Sequence, residues 1–201
     1  MHAVIFDIDG TLLESASVDD TLYRDAVVSV LGNVRFRAAI ADYNHVSDSG
    51  ILAQVFEDNE ISPTTEITSA VKTRFVRSLR QHIADHGPFP EISGASDILE
   101  SLRRSNDHSV GIATGGWRES AQLKLASAGL DRFDLPLSTS DDADDRKDIM
   151  RIALGRLGTG FHSVTYYGDG VWDRKASFEL GWKFVAVGPA LGGISEFDSR
   201  L

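Results

Sequence analysis

Cysteine is absent from all 201 residues of the sequence. Disulfides, thiolate metal sites and cysteine nucleophiles are therefore excluded. No apolar stretch approaches the roughly 20 residues that a transmembrane helix requires. Met1 leads directly into strand-like sequence, without the basic and apolar regions of a signal peptide. We therefore expect a cytoplasmic protein that has no membrane partner.

Positive charge is also scarce, because 20 lysine and arginine residues face 30 aspartate and glutamate residues, for a net charge of −10. Nucleic acids are bound through an excess of basic residues, so they are not expected as the main partner. An anionic small substrate would also be repelled unless a metal or a local basic group reverses the field in the site. The length and the 42% hydrophobic content fit one soluble domain, or one domain with a small insertion.

Short apolar runs rich in β-branched and aromatic residues predict buried strands at 3–6, 109–113, 163–167 and 182–187. Helical periodicity is found between them, at 95–105, 118–130 and 145–157. This alternation predicts an α/β fold, in which helices flank an open, parallel, Rossmann-like sheet.

The segment 16–87 differs from the rest because it shows three helical patterns, around 18–32, 34–58 and 64–85, and no convincing strand. A proline- and glycine-rich stretch, GPFPEISG, follows it. We therefore predict an α/β catalytic core made of 1–15 and 88–201. A small all-helical cap domain, 16–87, is inserted after the first strand.

Asp7 and Asp9 follow the first predicted strand, in the stretch VIFDIDGTLLES. Residues i and i+2 of an extended segment point to the same side, and acids so close repel unless a cation or a shared proton relieves them. Ligands of open α/β sheets bind at this end of the strands. An EF-hand is excluded, because its loop requires glycine at the sixth position, glutamate at the twelfth and flanking helices.

Three further features lie at strand ends or beside them: TGG (114–116), GDGVWD (168–173) and Lys147 at a helix start. Each alone is more common as a turn or as solvated surface. Backbone amides and a hydroxyl in TGG are suited to anionic oxygens. Four such features in order, all at the ligand-binding edge of a sheet, indicate a single site.

DIDGTL, IATG, Lys147 and GDGVWD together resemble the four motifs of the haloacid dehalogenase (HAD)-like hydrolase superfamily, across the whole chain. The helical insertion resembles the small helical (C1) cap of its phosphoglycolate phosphatase-like branch. The resemblance implies that Asp7 is the nucleophile and Asp9 the general acid and base. Thr114 and the amide of Gly115 would hold the phosphoryl oxygens, and Lys147 would offset their charge.

The resemblance also implies a Mg²⁺ site formed by Asp7, the backbone carbonyl of Asp9, and Asp169. Asp173 would support the metal, either directly or through water. Arg146 precedes Lys147 and either could reach the phosphate, although the family favours lysine. The second aspartate, Asp9, favours phosphoryl transfer over dehalogenation.

Substrate contacts are expected from the cap, where NHVSDSGIL (44–52) carries the polar residues His45, Ser47 and Asp48. A helix break with Ser47 or Asp48 as the N-cap is an equal alternative. Trp117 and Arg118 could face the cap, but a helix start with a partly exposed aromatic is the more common arrangement.

The function expected is a Mg²⁺-dependent phosphatase that hydrolyses a phosphoglycolate- or sugar-phosphate-like monoester through an aspartyl-phosphate, as a monomer or homodimer. A phosphomutase and a non-catalytic phosphoacceptor remain alternatives. Phosphonate cleavage is a further alternative and would need a cap lysine, of which Lys72 is the only one.

Overall fold

Strand β1 (His2–Phe6) lies at the centre of a parallel sheet in the computed structural model, which describes residues 1–198. The other strands are β2 (His108–Ala113), β3 (Leu137–Ser138), β4 (Ser163–Gly168) and β5 (Lys183–Ala186). Their spatial order is β3-β2-β1-β4-β5, and every pairing is parallel. The predicted α/β fold with an open parallel sheet is therefore confirmed.

The two faces of the sheet are covered by different helices because successive side chains of a strand point to opposite faces. Phe6 of β1 packs in one apolar cluster with α4 (Ala95–Arg104) and α5 (Arg118–Ser127). Ile5 packs in a second cluster with α6 (Arg146–Leu157) and α7 (Val171–Leu180). The sheet is thus buried on both sides, as its near-continuous apolar strands require.

Segment 16–87 contains helices α1 (Ala16–Leu31), α2 (Asp48–Asp58) and α3 (Thr65–His86) and a short 3-10 helix (Ile40–Asp42). The structure describes this segment throughout and shows no strand in it. The predicted middle helix, 34–58, is wrong in its first half. Ser47 has extended backbone and its hydroxyl accepts a hydrogen bond from the amide of Gly50, so α2 begins only after it.

The connections between the sheet and segment 16–87 lie side by side. The Glu14 amide donates to the Pro90 carbonyl at 2.9 Å, and the Ile92 amide donates to the Leu12 carbonyl at 2.9 Å. The chain therefore leaves and re-enters the α/β part at one place. This pairing agrees with the division into core and cap, which stays a prediction.

Trp117, at the start of α5, joins segment 16–87 to the sheet part. Its side chain is 1% exposed and lies 5.4 Å from the ring of Tyr23 and 6.0 Å from that of Phe75. The expectation of a partly exposed aromatic is wrong, because helices α1 and α3 cover the indole. Within residues 1–198, none of the helices has both the length and the apolar character needed to cross a bilayer.

Candidate active site

Asp7 continues β1 beyond its last paired residue, with its amide donating to the Tyr167 carbonyl at 2.9 Å. The chain then turns at Gly10, which has a φ of +74°. A Cβ at Gly10 would overlap the carboxylate of Asp169. Glycine is therefore required here for two reasons: the left-handed backbone and the close approach of Asp169.

Asp7, Asp169 and Asp173 form an acidic cluster in which one carboxylate oxygen from each lies within 4.8 Å of the others. Burial, with the neighbouring acids, raises the pKa of Asp7 well above its usual range. Burial and the charge of Asp173 raise the pKa of Asp169 to about 7. Asp173 lies in the first turn of α7 and accepts a hydrogen bond from the Gly170 amide at 3.1 Å.

Arg146 is the cation beside this cluster. Its Nη1 lies 3.5 Å from Asp7 Oδ1, and its Nε lies 3.4 Å from Asp173 Oδ1. A third nitrogen, Nη2, donates to the Val46 carbonyl at 3.2 Å. Burial opposes the charge, but Asp173 and Asp7 together raise the pKa of Arg146 above its ordinary value. The side chain is therefore held as a buried guanidinium beside Asp7.

Lys147 does not take the place that the resemblance implied. Its Nζ pairs with Glu179 at 2.7 Å, and a third of its side chain is exposed. Successive residues of an α-helix are about 100° apart around the axis, so Arg146 and Lys147 cannot face the same side. The structure therefore brings Arg146 to Asp7 and leaves Lys147 at the surface.

Thr114 and Gly115 follow β2 and lie at the same cavity as Asp7. The Thr114 hydroxyl oxygen accepts a hydrogen bond from the Gly116 amide at 3.2 Å. A Cβ at Gly115 would lie 2.7 Å from Arg146 Nη2 and 3.0 Å from the Val46 carbonyl oxygen. A larger residue there would displace the guanidinium, so the glycine allows the cation to approach the strand end.

A cavity of about 440 Å³ lies between the strand ends and segment 16–87. Its inner end contains the motif residues Asp7, Asp9, Thr114, Gly115, Arg146 and Asp169. We call the lining contributed by the helices of segment 16–87 the outer wall. It is formed by α1, the short 3-10 helix and α2, through Asp19, Asp20, Tyr23, Arg24, Ile40, Asp48 and Ile51.

The three predicted cap residues have different positions. Ser47 lines the cavity and caps α2, as the alternative predicted, and its hydroxyl donates to the Asp144 carbonyl at 2.7 Å. Asp48 lines the cavity and accepts a hydrogen bond from the Trp117 amide at 2.8 Å. His45 lies outside this cavity, with Nδ1 3.6 Å from Asp145.

Sequence reasoning missed Lys124 of α5, which is fully buried. Its Nζ lies 2.7 and 2.6 Å from the two carboxylate oxygens of Asp9 and 2.5 Å from Asp19 Oδ1. Ser15 also donates to Asp9, at 2.5 Å. A signal was present, because Lys124 shares the buried face of α5 with Ala121. A lysine at such a position needs a buried acid as partner.

Burial and the adjacent Asp9 raise the pKa of Asp19 to about 6, although Lys124 opposes the shift. Lys72, the lysine that phosphonate cleavage would need, pairs with Asp141 and lies over the Trp117 ring at 5.2 Å. It is not among the residues that line the cavity. Arg118 likewise pairs with Asp142, at 2.7 Å, instead of facing the cavity.

Buried carboxylates and an arginine lie together at the ligand-binding edge of a parallel sheet. This arrangement is typical of α/β enzymes with an acidic active site. Residues 1–181 match the family of haloacid dehalogenase-like hydrolases. The chain belongs to this hydrolase family, as the resemblance implied.

Individual relatives agree with this assignment. The chain is 26% identical over 191 residues to "Probable phosphatase IndB" of Dickeya dadantii (strain 3937), a match that covers 92% of this chain and 80% of that protein. A hydrolase from Pseudomonas syringae superposes with a TM-score of 0.74 at 22% identity, covering 92% and 84% of the two chains. CbbY from Rhodobacter sphaeroides, solved in complex with phosphate, superposes with a TM-score of 0.71 at 17% identity, covering 96% and 87%. At these identities the two structures establish a shared fold.

Proposed function

We propose that this protein is a Mg²⁺-dependent phosphatase that hydrolyses a small phosphorylated metabolite through an aspartyl-phosphate on Asp7. The observation that carries the proposal is a buried carboxylate, Asp7, placed between a cluster of further acids and a buried arginine at the end of a cavity. A carboxylate is a known nucleophile in phosphoryl transfer. The similarity to a probable phosphatase supports the same chemistry.

The donor set fits a Mg²⁺ ion. Three carboxylates lie within 4.8 Å of one another, and Asp173 Oδ1 makes no hydrogen bond among the described residues. Burial raises the pKa of Asp7 and of Asp169, and neighbouring acids add to both shifts, so a bound cation would stabilise their ionised forms. Asp7, Asp169 and the Asp9 carbonyl would hold the ion, with Asp173 bound directly or through water. A bound Mg²⁺ supplies charge stabilisation to the phosphoryl oxygens.

In the proposed first step, a carboxylate oxygen of Asp7 forms a bond to phosphorus while the bond to the leaving alkoxide breaks. Asp9, in its acid form, gives its proton to that alkoxide. In the second step Asp9 takes a proton from water, whose oxygen attacks phosphorus and releases phosphate from Asp7. Ser15 and Lys124 both contact the Asp9 carboxylate and fix its position.

The phosphoryl oxygens would be held by Thr114, by the Gly115 amide and by Arg146. Arg146 is suited to this role because its planar guanidinium offers several donors in a fixed arrangement. We therefore assign to Arg146 the charge-balancing role that the resemblance gave to Lys147. This also accounts for how a chain of net charge −10 accepts a phosphate.

Segment 16–87 would act as the cap that excludes water from the covalent step. The Asp48 amide donates to the Gly115 carbonyl at 2.8 Å, and the Asp48 carboxylate accepts from the Trp117 amide. Both contacts join α2 to the loop after β2, which would hold the phosphate. Closure of the cap and formation of the phosphate site would therefore be linked.

The proposal is tested by measuring inorganic phosphate release by the wild-type protein and by Asp7→Asn, with and without EDTA. We expect Asp7→Asn and EDTA treatment each to abolish turnover of p-nitrophenyl phosphate, with the circular dichroism spectrum of the variant unchanged. Asp25→Asn is the control, because Asp25 is exposed on α1 and does not line the cavity. Phosphate release by Asp7→Asn at the wild-type rate would overturn the mechanism.

A further inference from the structure

The outer wall of the cavity is acidic. Asp19, Asp20 and Asp48 all line it, and none of them belongs to the acidic cluster of Asp7, Asp169 and Asp173. The bound phosphate would be matched by Arg146 and the metal at the inner end. The rest of the substrate must therefore lie against this wall, whose charges decide which organic groups it accepts.

The cations near the outer wall are already engaged. Arg24 is the one basic residue of the described chain that lines the cavity besides Arg146. Its Nε donates to both carboxylate oxygens of Asp20 at 2.9 Å, and its guanidinium lies 4.9 Å from the centre of the Phe36 ring. Lys124, behind the wall, is fully buried between Asp9 and Asp19.

A second anion on the substrate would find no compensating charge there. If Arg24 turned toward a substrate carboxylate, the negative charge of Asp20, whose side chain is 47% exposed, would remain at the wall, so the exchange would gain no net positive charge. Protonation of Asp48 would remove a negative charge but would supply no positive one. An anionic group removed from water without a partner is costly.

The remaining surface of the outer wall is suited to a neutral or cationic group. Tyr23, Ile40 and Ile51 supply apolar area, and the carboxylates supply acceptors for hydroxyl or ammonium hydrogens. The cavity volume of about 440 Å³, which includes the phosphate end, limits this part to a small metabolite.

We infer that the substrate is a phosphomonoester whose organic part carries no second anionic group, so that it bears hydroxyl or ammonium groups instead of a carboxylate or another phosphate. The inference rests on the proposed phosphatase function and narrows it. Of the two substrate types expected from the sequence, it favours a sugar-phosphate-like ester over phosphoglycolate.

The test compares kcat/KM for three esters that differ in the group at the end of a two-carbon chain: 2-hydroxyethyl phosphate, phosphoethanolamine and phosphoglycolate. We expect each of the first two to exceed phosphoglycolate by at least tenfold. Equal or better turnover of phosphoglycolate would overturn the inference alone. No hydrolysis of any of them, nor of p-nitrophenyl phosphate, would overturn the proposed phosphatase function itself.

A variant tests the cause of the selectivity. Asp20→Asn removes the partner of Arg24. The kcat/KM for phosphoglycolate, divided by the kcat/KM for 2-hydroxyethyl phosphate, should then rise at least threefold. Asp25→Asn, on the exposed side of the same helix, should leave the ratio unchanged. An unchanged ratio in Asp20→Asn, or an equal rise in Asp25→Asn, would contradict the role assigned to the Asp20–Arg24 pair.

Discussion

The role of each charged residue at the site depends on which opposite charge lies next to it. Arg146 and Lys147 are adjacent in sequence, yet one lies against Asp7 and the other against Glu179. In the proposed mechanism, a buried cation beside Asp7 would bind the phosphate strongly at low dielectric, whereas an exposed ion pair contributes little to stability. The two residues should therefore respond very differently to substitution.

Removal of the charge at Arg146 should abolish most of the activity. Loss of one preorganised donor to a developing anion lowers kcat by about 10²–10³-fold in other enzymes, and we expect Arg146→Met to lower kcat/KM by at least that factor. Lys147→Met is the matched control and should stay within about threefold of wild type, as expected for an exposed pair. Steady-state kinetics with p-nitrophenyl phosphate checks both, and a larger loss in Lys147→Met would contradict the placement of the two cations.

Lys124 should be needed for stability as well as for the orientation of Asp9. Removing one member of a buried ion pair costs about 3–5 kcal/mol because the partner's charge is left buried, so Lys124→Met should lower the free energy of unfolding by about that amount. Urea unfolding measures the change, and Asp19→Asn in the same chain should recover part of it. The exposed Lys183→Met is the control. A loss as small as that of the control would show that the contacts of Lys124 are not stabilising.

Much of the site could be predicted from the sequence because its residues follow strands in recognisable order. Asp7, Asp9, Thr114, Gly115 and Asp169 all line the same cavity. The remaining contributions depend on contacts between distant parts of the chain. The pairing of Lys124 with Asp9 spans 115 positions and leaves only a weak trace in the local pattern.

The secondary-structure elements show the same contrast between local and long-range causes. Strands β1, β2, β4 and β5 and helices α4–α6 were predicted close to their observed bounds because their apolar periodicity is strong. Strand β3 has two residues and exists through its pairing with β2, so no local signal reveals it. The sequence of segment 34–47 has a helical pattern, but α2 begins only at Asp48. Ser47 has extended backbone and is the N-cap of that helix.

The turn between β1 and α1 should tolerate no side chain at Gly10. Gly10 and Gly181 both have φ near +70°, so alanine costs each of them backbone strain of about 1–2 kcal/mol. Only at Gly10 would the added Cβ also overlap Asp169, whereas nothing lies within 4 Å at Gly181. Gly10→Ala should therefore destabilise the protein more than Gly181→Ala and should alone weaken Mg²⁺ binding. Thermal unfolding and calorimetry measure the two effects, and equal effects of both substitutions on unfolding would contradict the steric argument.

The whole molecule carries a net charge of −10. Several of its aspartates are buried or partly buried together around the inner end of the cavity. Such a site favours a cation, and it also favours protons in the absence of one. In the proposed phosphatase, metal affinity, proton binding and the acceptance of an anionic substrate would therefore be coupled. This coupling leads to a prediction for the pH dependence of metal binding.

Mg²⁺ affinity should rise with pH across the neutral range. The pKa of Asp169 is about 7, and that of Asp7 is also raised, so both bind protons more strongly than ordinary aspartates. Because the metal requires the carboxylate form, each proton that must leave weakens binding by up to about tenfold per pH unit below its pKa. Calorimetric titration of metal-stripped protein should show clearly weaker binding near pH 6 than near pH 8. Affinity that is independent of pH would contradict the raised pKa values.

The most direct test of the central claim is chemical trapping of the phosphorylated enzyme. The protein is mixed with p-nitrophenyl phosphate and Mg²⁺, quenched in acid within the first turnover, and treated with borohydride, which reduces an acyl phosphate to an alcohol. Peptide mass spectrometry should then find homoserine at position 7 in the wild-type protein, and none in Asp7→Asn. An unmodified Asp7 during active turnover, or reduction at another carboxylate, would contradict the account.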